Sequence, residues 1–74
     1  MNSTLEMILK ELSSAKSKYP PFHSGHEGYA VIKEELDELW EMVRSSKSTR
    51  GDGDMIRECV QIAAMSIRFI EDLC

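Results

Sequence analysis

The sequence predicts an all-α protein: a three-helix chain with a long antiparallel helical hairpin, assembled into an oligomeric helical bundle. Two kinds of observation support this prediction. Apolar residues recur at helical spacing in three segments of the chain. Two Ser-x-x-Glu sequences have the spacing of a capping box, which satisfies free backbone groups at a helix start. We predict helices over residues 4–18, 26–45 and 54–73, and no strand.

The first helix is predicted from the capping-box spacing of Ser3 and Glu6 and from the proline pair that follows it. Pro20 and Pro21 cannot continue a helix, because each proline lacks a backbone donor and restricts the residue before it. The apolar residues of this helix are Leu5, Ile8, Leu9, Leu12 and Ala15. A loop therefore follows, over residues 19–25.

The second helix follows another capping-box pair, Ser24 and Glu27. Its apolar residues share one face: Tyr29, Ile32, Leu36, Leu39, Trp40 and Val43. Aromatic rings on such a stripe can either pack in a core or stack on a ligand. We predict core packing for Tyr29 and Trp40, because both lie on the apolar stripe.

The third helix follows a polar, glycine-rich stretch, SSKSTRGDGD, which predicts a hairpin loop over residues 45–54. Apolar residues cover more than half the circumference of this helix, whereas a surface helix needs an arc of roughly 100° or somewhat more. Three short helices cannot cover so wide a surface. We therefore predict a homo-oligomer, a dimer or a tetramer, with Leu39, Trp40 and Val43 as the partner surface.

Length and composition indicate a single domain over residues 1–74 and exclude several function classes. The chain has 13 acidic against 9 basic residues, a net charge of −4, which disfavours non-specific nucleic-acid binding. Cys59 and Cys74 have no metal-motif spacing and are typical of a reducing cytoplasm. No apolar run approaches the roughly 18 residues of a membrane span. We expect a soluble, cytoplasmic protein without a membrane or nucleic-acid partner.

Acidic residues are concentrated in the second helix. Five of them occur within eight positions: Glu34, Glu35, Asp37, Glu38 and Glu41. Three project opposite the apolar stripe, but Glu35 falls between Val31 and Met42 on its edge. A carboxylate there is unfavourable unless a cation or hydrogen bonds compensate it. Glu38 is three residues further on and shares the face of Glu35, so both could reach one ion.

The third helix supplies possible partners for these two glutamates. Glu58 lies beside its apolar surface, and Gln61 follows one turn later. Carboxylate oxygens with room for water suit Mg²⁺ or Mn²⁺ better than a softer metal. The alternative is an acidic helix flank with surface ion pairs to Lys33, Arg44 and Arg57.

These residues resemble the motifs of the MazG-like all-α nucleotide pyrophosphohydrolases, marked by an E-x-x-E pair on one helix and an E-x-x-D pair on the next. Glu35 and Glu38 match the first pair, and a further glutamate precedes them as in the family. Glu58 and Gln61 stand at the second pair, with glutamine in place of aspartate. The stretch PPFHSGHEGYAVIKEE is also similar to the family's approach to its first pair. The resemblance covers residues 20–72.

The resemblance implies a bundle of several chains that binds a nucleoside triphosphate through Mg²⁺ (or Mn²⁺). Such proteins cleave between the α- and β-phosphates, releasing a monophosphate and pyrophosphate. The implied catalytic residues are Glu35 and Glu38, and the implied metal ligands are Glu35, Glu38, Glu58 and Gln61. The candidates for nucleotide contact are His26, Lys33 and Arg57. Gln61 offers a neutral carbonyl, so we expect weaker divalent-ion binding than an aspartate would give.

Three function classes follow from these observations. The first is a metal-dependent nucleotide pyrophosphohydrolase acting on an NTP or a dNTP. The second is an oligomer that binds a nucleotide, or sequesters a nucleotide signal, without hydrolysing it. The third is a helical interaction module without a ligand, in which the acids are surface residues. A compact chain of this kind would suit a phage or another mobile element.

Overall fold

The structure, a computed structural model, describes residues 3–45 and 52–74, and these residues form three helices without a strand. The helices are α1 (Ser3–Lys18), α2 (Gly25–Arg44) and α3 (Asp52–Leu73). The all-α class and the three helices are therefore confirmed, with bounds within two residues of the prediction. Within the described ranges, no helix is long and apolar enough to cross a membrane.

The start of α3 differs from the prediction, because its first residues belong to the stretch assigned to the loop. The helix includes Gly53 and Asp54. An acidic residue in the first turn is favourable near the positive end of the helix dipole, which offsets the poor helix propensity of glycine. The remainder of the predicted loop, residues 46–51, lies outside the described residues.

The start of α2 is capped as the Ser24–Glu27 pair predicts, with one difference. The backbone N–H of Glu27 donates to Ser24 Oγ over 3.1 Å. The Glu27 carboxylate accepts from the backbone N–H of His23 over 2.6 Å, rather than from that of Ser24. At the other predicted capping box, α1 begins at Ser3 itself, one residue earlier than expected.

Helix α3 is the central element, since it packs against both α1 and α2, whereas α1 and α2 do not pack against each other. An ion pair between Lys16 and Glu71 adds to the contact between α1 and α3. Much of the wide apolar arc of α3 is thus covered from two sides within one chain, although Ile56 and Ile70 are 47% and 62% exposed. The feature from which we predicted self-association therefore has an intramolecular explanation.

The core lies between these helices and is small. Its buried apolar residues come from α1, the following loop and α3: Leu12, Ala15, Phe22, Ala64 and Met65. Helix α2 adds the half-buried Val31 and Ile32, and it approaches α3 closely at Gly28. A methyl group at Gly28 would lie 2.5 Å from Phe69 Cδ2, closer than packed carbon atoms allow. Glycine therefore permits the close approach of α2 to α3.

The second side of α2 faces away from the core. The side chains of Tyr29 and Trp40 are 62% and 57% exposed. The prediction that both rings pack in the core is therefore wrong within the single chain. The physical reason is the arrangement of the helices: α3 covers one side of α2, and α1 does not reach the other.

The connection between α1 and α2 is held against α3 by what we call the Arg68 latch, formed by Arg68, Asp72 and the loop backbone. Arg68 is only 3% exposed, and its Nη2 donates to the carbonyl oxygens of Tyr19 and Pro20. Its Nε lies 3.5 Å from Asp72 Oδ2, which accepts from the backbone N–H of Phe22 over 2.9 Å. The guanidinium also lies 5.1 Å from the centre of the Phe22 ring, a cation–π contact.

Candidate functional site

A cleft of about 620 Å³ opens between the three helices. Helix α2 contributes Val31 and Glu35 to its walls, and α3 contributes Glu58 and Gln61. Its volume falls within the range of small-molecule sites, roughly 300–1,000 Å³. The cleft can therefore hold far more than a single ion.

Three carboxyl groups converge at the edge of this cleft, and we call them the acid cluster: Glu35, Glu38 and Glu58. Glu35 and Glu58 line the cleft, whereas Glu38 lines a neighbouring groove on the outer side of α2. One carboxylate oxygen from each lies within 4.8 Å of one from each of the others. Glu58 is 7% exposed, Glu35 is half-buried, and Glu38 is exposed. The fold thus brings Glu58 together with Glu35 and Glu38, which lie 23 and 20 positions earlier in the sequence.

The packing of α2 explains why Glu35 belongs to this group. The residues of α2 that are at least partly buried recur three or four positions apart, except for the adjacent pair Val31 and Ile32: Gly28, Val31, Ile32, Glu35, Leu39 and Met42. Glu35 therefore lies on the row that faces α3, between apolar neighbours. The other acids of α2, Glu34, Asp37 and Glu41, are exposed.

The proximity of the three carboxyl groups makes them hard to ionise together. Burial raises the pKa of Glu35 to about 7, together with a side-chain hydrogen bond to Glu58 and the charges of Glu58, Glu38 and Glu34. The negative charge of Glu58 is also the main cause that raises the pKa of Glu38. At neutral pH, a proton or a cation is needed to offset this repulsion.

The most deeply buried member of the cluster is only partly satisfied. The Oε1 atom of Glu58 is buried without a hydrogen-bond partner. Leaving such an oxygen without a hydrogen-bond partner costs about 1–3 kcal/mol of stability, and more when the group is charged. Over the described ranges, no lysine or arginine forms an ion pair with the acid cluster. Within residues 3–45 and 52–74, the acid cluster is therefore not paired with a cationic side chain.

The donor set fits a hard divalent cation. Three carboxylates from two helices provide oxygen ligands, and Mg²⁺ is held in proteins by carboxylates together with water or phosphate oxygens. Ligand oxygens on one Mg²⁺ are at most about 4.2 Å apart, slightly less than the 4.8 Å found here. Small side-chain rotations or an intervening water would close this difference. The orphaned Glu58 Oε1 is the atom that most needs such a partner.

Two further predicted site residues line the same cleft. Gln61 is half-buried on α3, one turn after Glu58. Arg57 is exposed beside Glu58, and its Nη1 lies 3.8 Å from Asp54 Oδ1. A pair at that distance and exposure is weak, so the guanidinium can turn toward an anion in the cleft.

The remaining predicted nucleotide contacts do not line the cleft. Lys33 is exposed on α2, where its Nζ lies 2.9 Å from Asp37 Oδ1, and the hydrogen bond to this carboxylate raises the pKa of Lys33. It borders a shallow groove of about 440 Å³ on the outer side of α2. His26 is exposed in the first turn of α2. Lys33 shares this outer groove with Glu38 of the acid cluster, but neither Lys33 nor His26 lines the cleft itself.

Sequence reasoning missed the part of the cleft that α1 and the Arg68 latch provide. Glu11, Ser14 and Lys18 line the cleft from α1, and Phe22 and Arg68 form its far wall. The α1 residues belong to no motif, so nothing in the sequence indicated them. Arg68 did leave a signal, because it comes one turn after apolar positions on the core-facing side of α3.

Comparison with known proteins identifies no relative of this chain. No family model matches the chain, and neither the curated proteins nor the solved structures compared with it provide a match. Membership of the MazG-like family therefore stays a prediction that rests on the motif residues themselves.

Proposed function

We propose that the cleft binds a nucleoside triphosphate together with Mg²⁺ or Mn²⁺, and that the protein is a nucleotide pyrophosphohydrolase of the MazG-like type. The observation that carries this proposal is the convergence of Glu35, Glu38 and Glu58 on one point, with the buried Glu58 Oε1 unpartnered. A cluster of acids that needs a cation, within a cleft sized for an organic ligand, is favourable for a metal-chelating substrate.

The charges around the cleft support an anionic ligand carried with a cation. The acid cluster by itself would repel a triphosphate. Arg57 and Lys18 line the same cleft and would attract one. A phosphate chain that shares a divalent ion with the carboxylates satisfies both groups at once. The apolar wall formed by Phe22 and Met65 then remains for an uncharged part of the ligand, such as a nucleotide base.

The proposed reaction cleaves the bond between the α- and β-phosphates. The oxygen of a water molecule forms a bond to one phosphorus, the bridging P–O bond breaks, and the water proton passes to a base. A bound Mg²⁺ would polarise the phosphoryl oxygens and lower the pKa of water, and Glu35, Glu38 and Glu58 would hold it. A carboxylate of the acid cluster that does not ligate the ion would accept the proton.

The proposal includes an antiparallel hairpin of α2 and α3 and a homo-oligomeric assembly. The contacts favour the antiparallel direction. Gly28, near the start of α2, lies against Phe69, near the end of α3. Glu35, further along α2, meets Glu58, which comes earlier in α3. The direction matters because it brings the two halves of the motif to the same level of the bundle.

One observation favours a second candidate, a protein that binds a nucleotide without hydrolysing it. Gln61 stands in the cleft where the family motif has an aspartate. An amide carbonyl can ligate an ion but adds no negative charge, so the ion would be held less firmly. Catalysis requires a firmly held ion, whereas binding of a metal–nucleotide complex is less demanding.

A screen of nucleoside triphosphates with Mg²⁺ and with Mn²⁺ tests the proposal, measuring binding by calorimetry and pyrophosphate release in the same samples. Metal-dependent pyrophosphate release supports the hydrolase. Metal-dependent binding without release supports the second candidate. If the chain neither binds nor cleaves any nucleotide with either metal, the proposal is wrong and a helical interaction module remains.

A matched pair of variants connects this result to the acid cluster. Glu35→Gln should reduce metal-dependent nucleotide binding or turnover at least tenfold, because it removes a charged ligand and keeps the shape of the side chain. Glu41→Gln makes the same chemical change on the same helix at an exposed position outside the cleft. It should leave both quantities within twofold of the wild type.

A further inference from the structure

The second side of α2 carries an exposed apolar row, which we call the outer stripe: Tyr29, Leu36, Trp40 and Val43. Each of these side chains is at least half exposed. Their separations of seven, four and three residues repeat the spacing of a coiled-coil seam, with Lys33 at the one polar position of the row. At 1.5 Å per residue the stripe is about 21 Å long. A row of this length and regularity is typical of a helix that packs on another helix.

The chain as a whole exposes more surface than its size requires. Its accessible surface is 5410 Å², whereas a folded monomer of its mass exposes about 4600 Å². The surplus of roughly 800 Å², to which all residues of the chain contribute, is comparable to the area that each partner buries in an interface of standard size. One helix-packing surface per chain would account for this surplus.

We propose that a second copy of this chain covers the outer stripe, with the two α2 helices packed antiparallel about Leu36. The position of Lys33 selects the direction. A parallel pair would set the two Lys33 side chains against each other inside the seam, which is unfavourable for like charges. An antiparallel pair sets Lys33 of each copy beside Trp40 of the other, where a cation–π contact forms.

This interface leaves the cleft open. Successive helix residues are about 100° apart around the axis, so Leu36 points well away from Glu35 and further still from Glu38. The acid cluster faces α3, and the outer stripe faces the second copy. The dimer therefore presents two separate clefts, and its formation does not depend on the chemistry proposed for them.

The experiment uses Trp40, the single tryptophan of the chain, as its probe. Light scattering should give the mass of a dimer at 100 µM. Dilution toward 1 µM should shift tryptophan emission to longer wavelength, as Trp40 becomes exposed to water. Leu36→Glu should raise the dimer dissociation constant at least 100-fold while the helical circular dichroism is unchanged, because it places two carboxylates at the centre of the seam.

Leu9→Glu is the matched control, since Leu9 on α1 has nearly the same exposure as Leu36, 52% against 50%. It should leave the dimer intact. A wild-type monomer at 100 µM overturns the proposal. A dimer that Leu9→Glu disperses and Leu36→Glu does not disperse also overturns it. These masses are measured without nucleotide or metal, so failure of the proposed nucleotide chemistry would not alter them.

The direction of packing is tested by disulfide formation in chains whose Cys59 and Cys74 are replaced by serine. Lys33→Cys and Trp40→Cys chains, mixed at high concentration and mildly oxidised, should form the mixed dimer in preference to either self-linked dimer. Preferential self-linking would show a parallel pair and overturn the antiparallel arrangement.

Discussion

Helix α3 carries two buried charged groups, Glu58 and Arg68, whose surroundings differ. Arg68 lies beside a group of opposite charge, whereas Glu58 lies beside groups of its own charge. At the Arg68 latch, the guanidinium donates through Nη2 to two loop carbonyls and contacts the Phe22 ring. Its buried Nε has no hydrogen-bond partner but lies 3.5 Å from the oppositely charged Asp72 carboxylate. At the acid cluster, Glu58 meets two further carboxyl groups of its own sign and keeps one oxygen unpartnered. The two groups are ten residues apart on one helix.

The difference separates a structural charge from a candidate functional one. A buried charge supported by hydrogen bonds and a counter-ion ties elements together, and removing it leaves its partners unsatisfied. Like charges gathered without a counter-ion oppose folding and are tolerated where a ligand completes them. We therefore expect substitutions at the latch to lower stability, and substitutions in the cluster to raise it at the expense of binding.

The largest expected effect is at the latch. Arg68→Met should destabilise the protein by about 3–5 kcal/mol, because two carbonyls lose their donor and the Asp72 carboxylate loses its counter-charge in a buried setting. A chain of this size has a total stability of roughly 4–11 kcal/mol, so the variant should be largely unfolded in mild urea. Equilibrium urea unfolding, followed by circular dichroism, measures the change.

Arg44→Met is the control for this measurement. Arg44 is exposed and pairs with Glu41 over 3.1 Å on the surface of α2, so its loss should change stability by no more than about 0.5 kcal/mol. Equal effects of the two substitutions would contradict the structural role of the latch.

The next effect has the opposite sign. Glu35→Gln should stabilise the metal-free protein at pH 8 by about 1 kcal/mol. The effect is modest because Glu35 is partly exposed and solvent screens the repulsion. The reason is that one carboxylate fewer has to be ionised beside Glu58. Thermal unfolding in the presence of a chelator should show this as a rise of about 4–8 °C. A loss of stability instead would mean that Glu35 is held by a partner within the chain.

The pH dependence of stability should separate the same two sites. The folded-state pKa of Glu35, about 7, is above its unfolded value, so the folded state binds this proton more tightly. Its stabilising contribution is complete below about pH 4.5 and is lost as the pH rises to about 7. The raised pKa of Glu38 acts in the same direction. The charged groups that line the cleft with Glu35 from the other helices are Glu58, Arg57 and Arg68 on α3 and Glu11 and Lys18 on α1.

Unfolding temperatures of the metal-free protein at pH 5 and pH 8 test this dependence. Between pH 5 and pH 8, the wild type should lose more stability than the Glu35→Gln variant. Saturating Mg²⁺ should restore part of the stability that the wild type loses at pH 8. Identical pH profiles of the two proteins would contradict the assignment of the raised pKa to Glu35.

The smallest expected effect is at Gln61. Gln61→Asp adds a negative charge to the cleft and should strengthen Mg²⁺ binding about three- to tenfold, since another charged ligand favours the ion. The same change should lower metal-free stability by a few tenths of a kcal/mol through repulsion. Titration with Mg²⁺ measures the first effect, and urea unfolding measures the second. Unchanged affinity would indicate that Gln61 does not reach the ion.

Local patterns determined the helices. The periodic apolar residues, the Ser24–Glu27 pair and the Pro20-Pro21 break each act within one or two turns of chain, and the helix bounds agree with them. The unusual position of Glu35 could also be read from the sequence, because a helical wheel sets it between Val31 and Met42. Each of these patterns involves only residues within a few turns of one another, so a single sequence is enough to identify them.

Tertiary packing decided which faces are covered. A helical wheel of α2 has two apolar sides, one through Val31 and Met42 and the other through Leu36 and Trp40. Periodicity alone does not indicate which of the two sides is buried. Only the docking of α2 on α3 shows that the first side is buried and the outer stripe is not. The wrong prediction for Tyr29 and Trp40 has this origin.

The sequence by itself thus determined the helices and the acids that could act together. The tertiary structure decided that Glu58 is buried beside Glu35, that Arg68 holds the loop, and that α1 lines the cleft. The physical reason is the sequence separation of the residues that interact. Helix formation depends on residues three or four apart, whereas the acid cluster joins residues 23 positions apart and the latch joins residues 49 positions apart. Contacts across such separations depend on how the helices pack, and no local pattern encodes that.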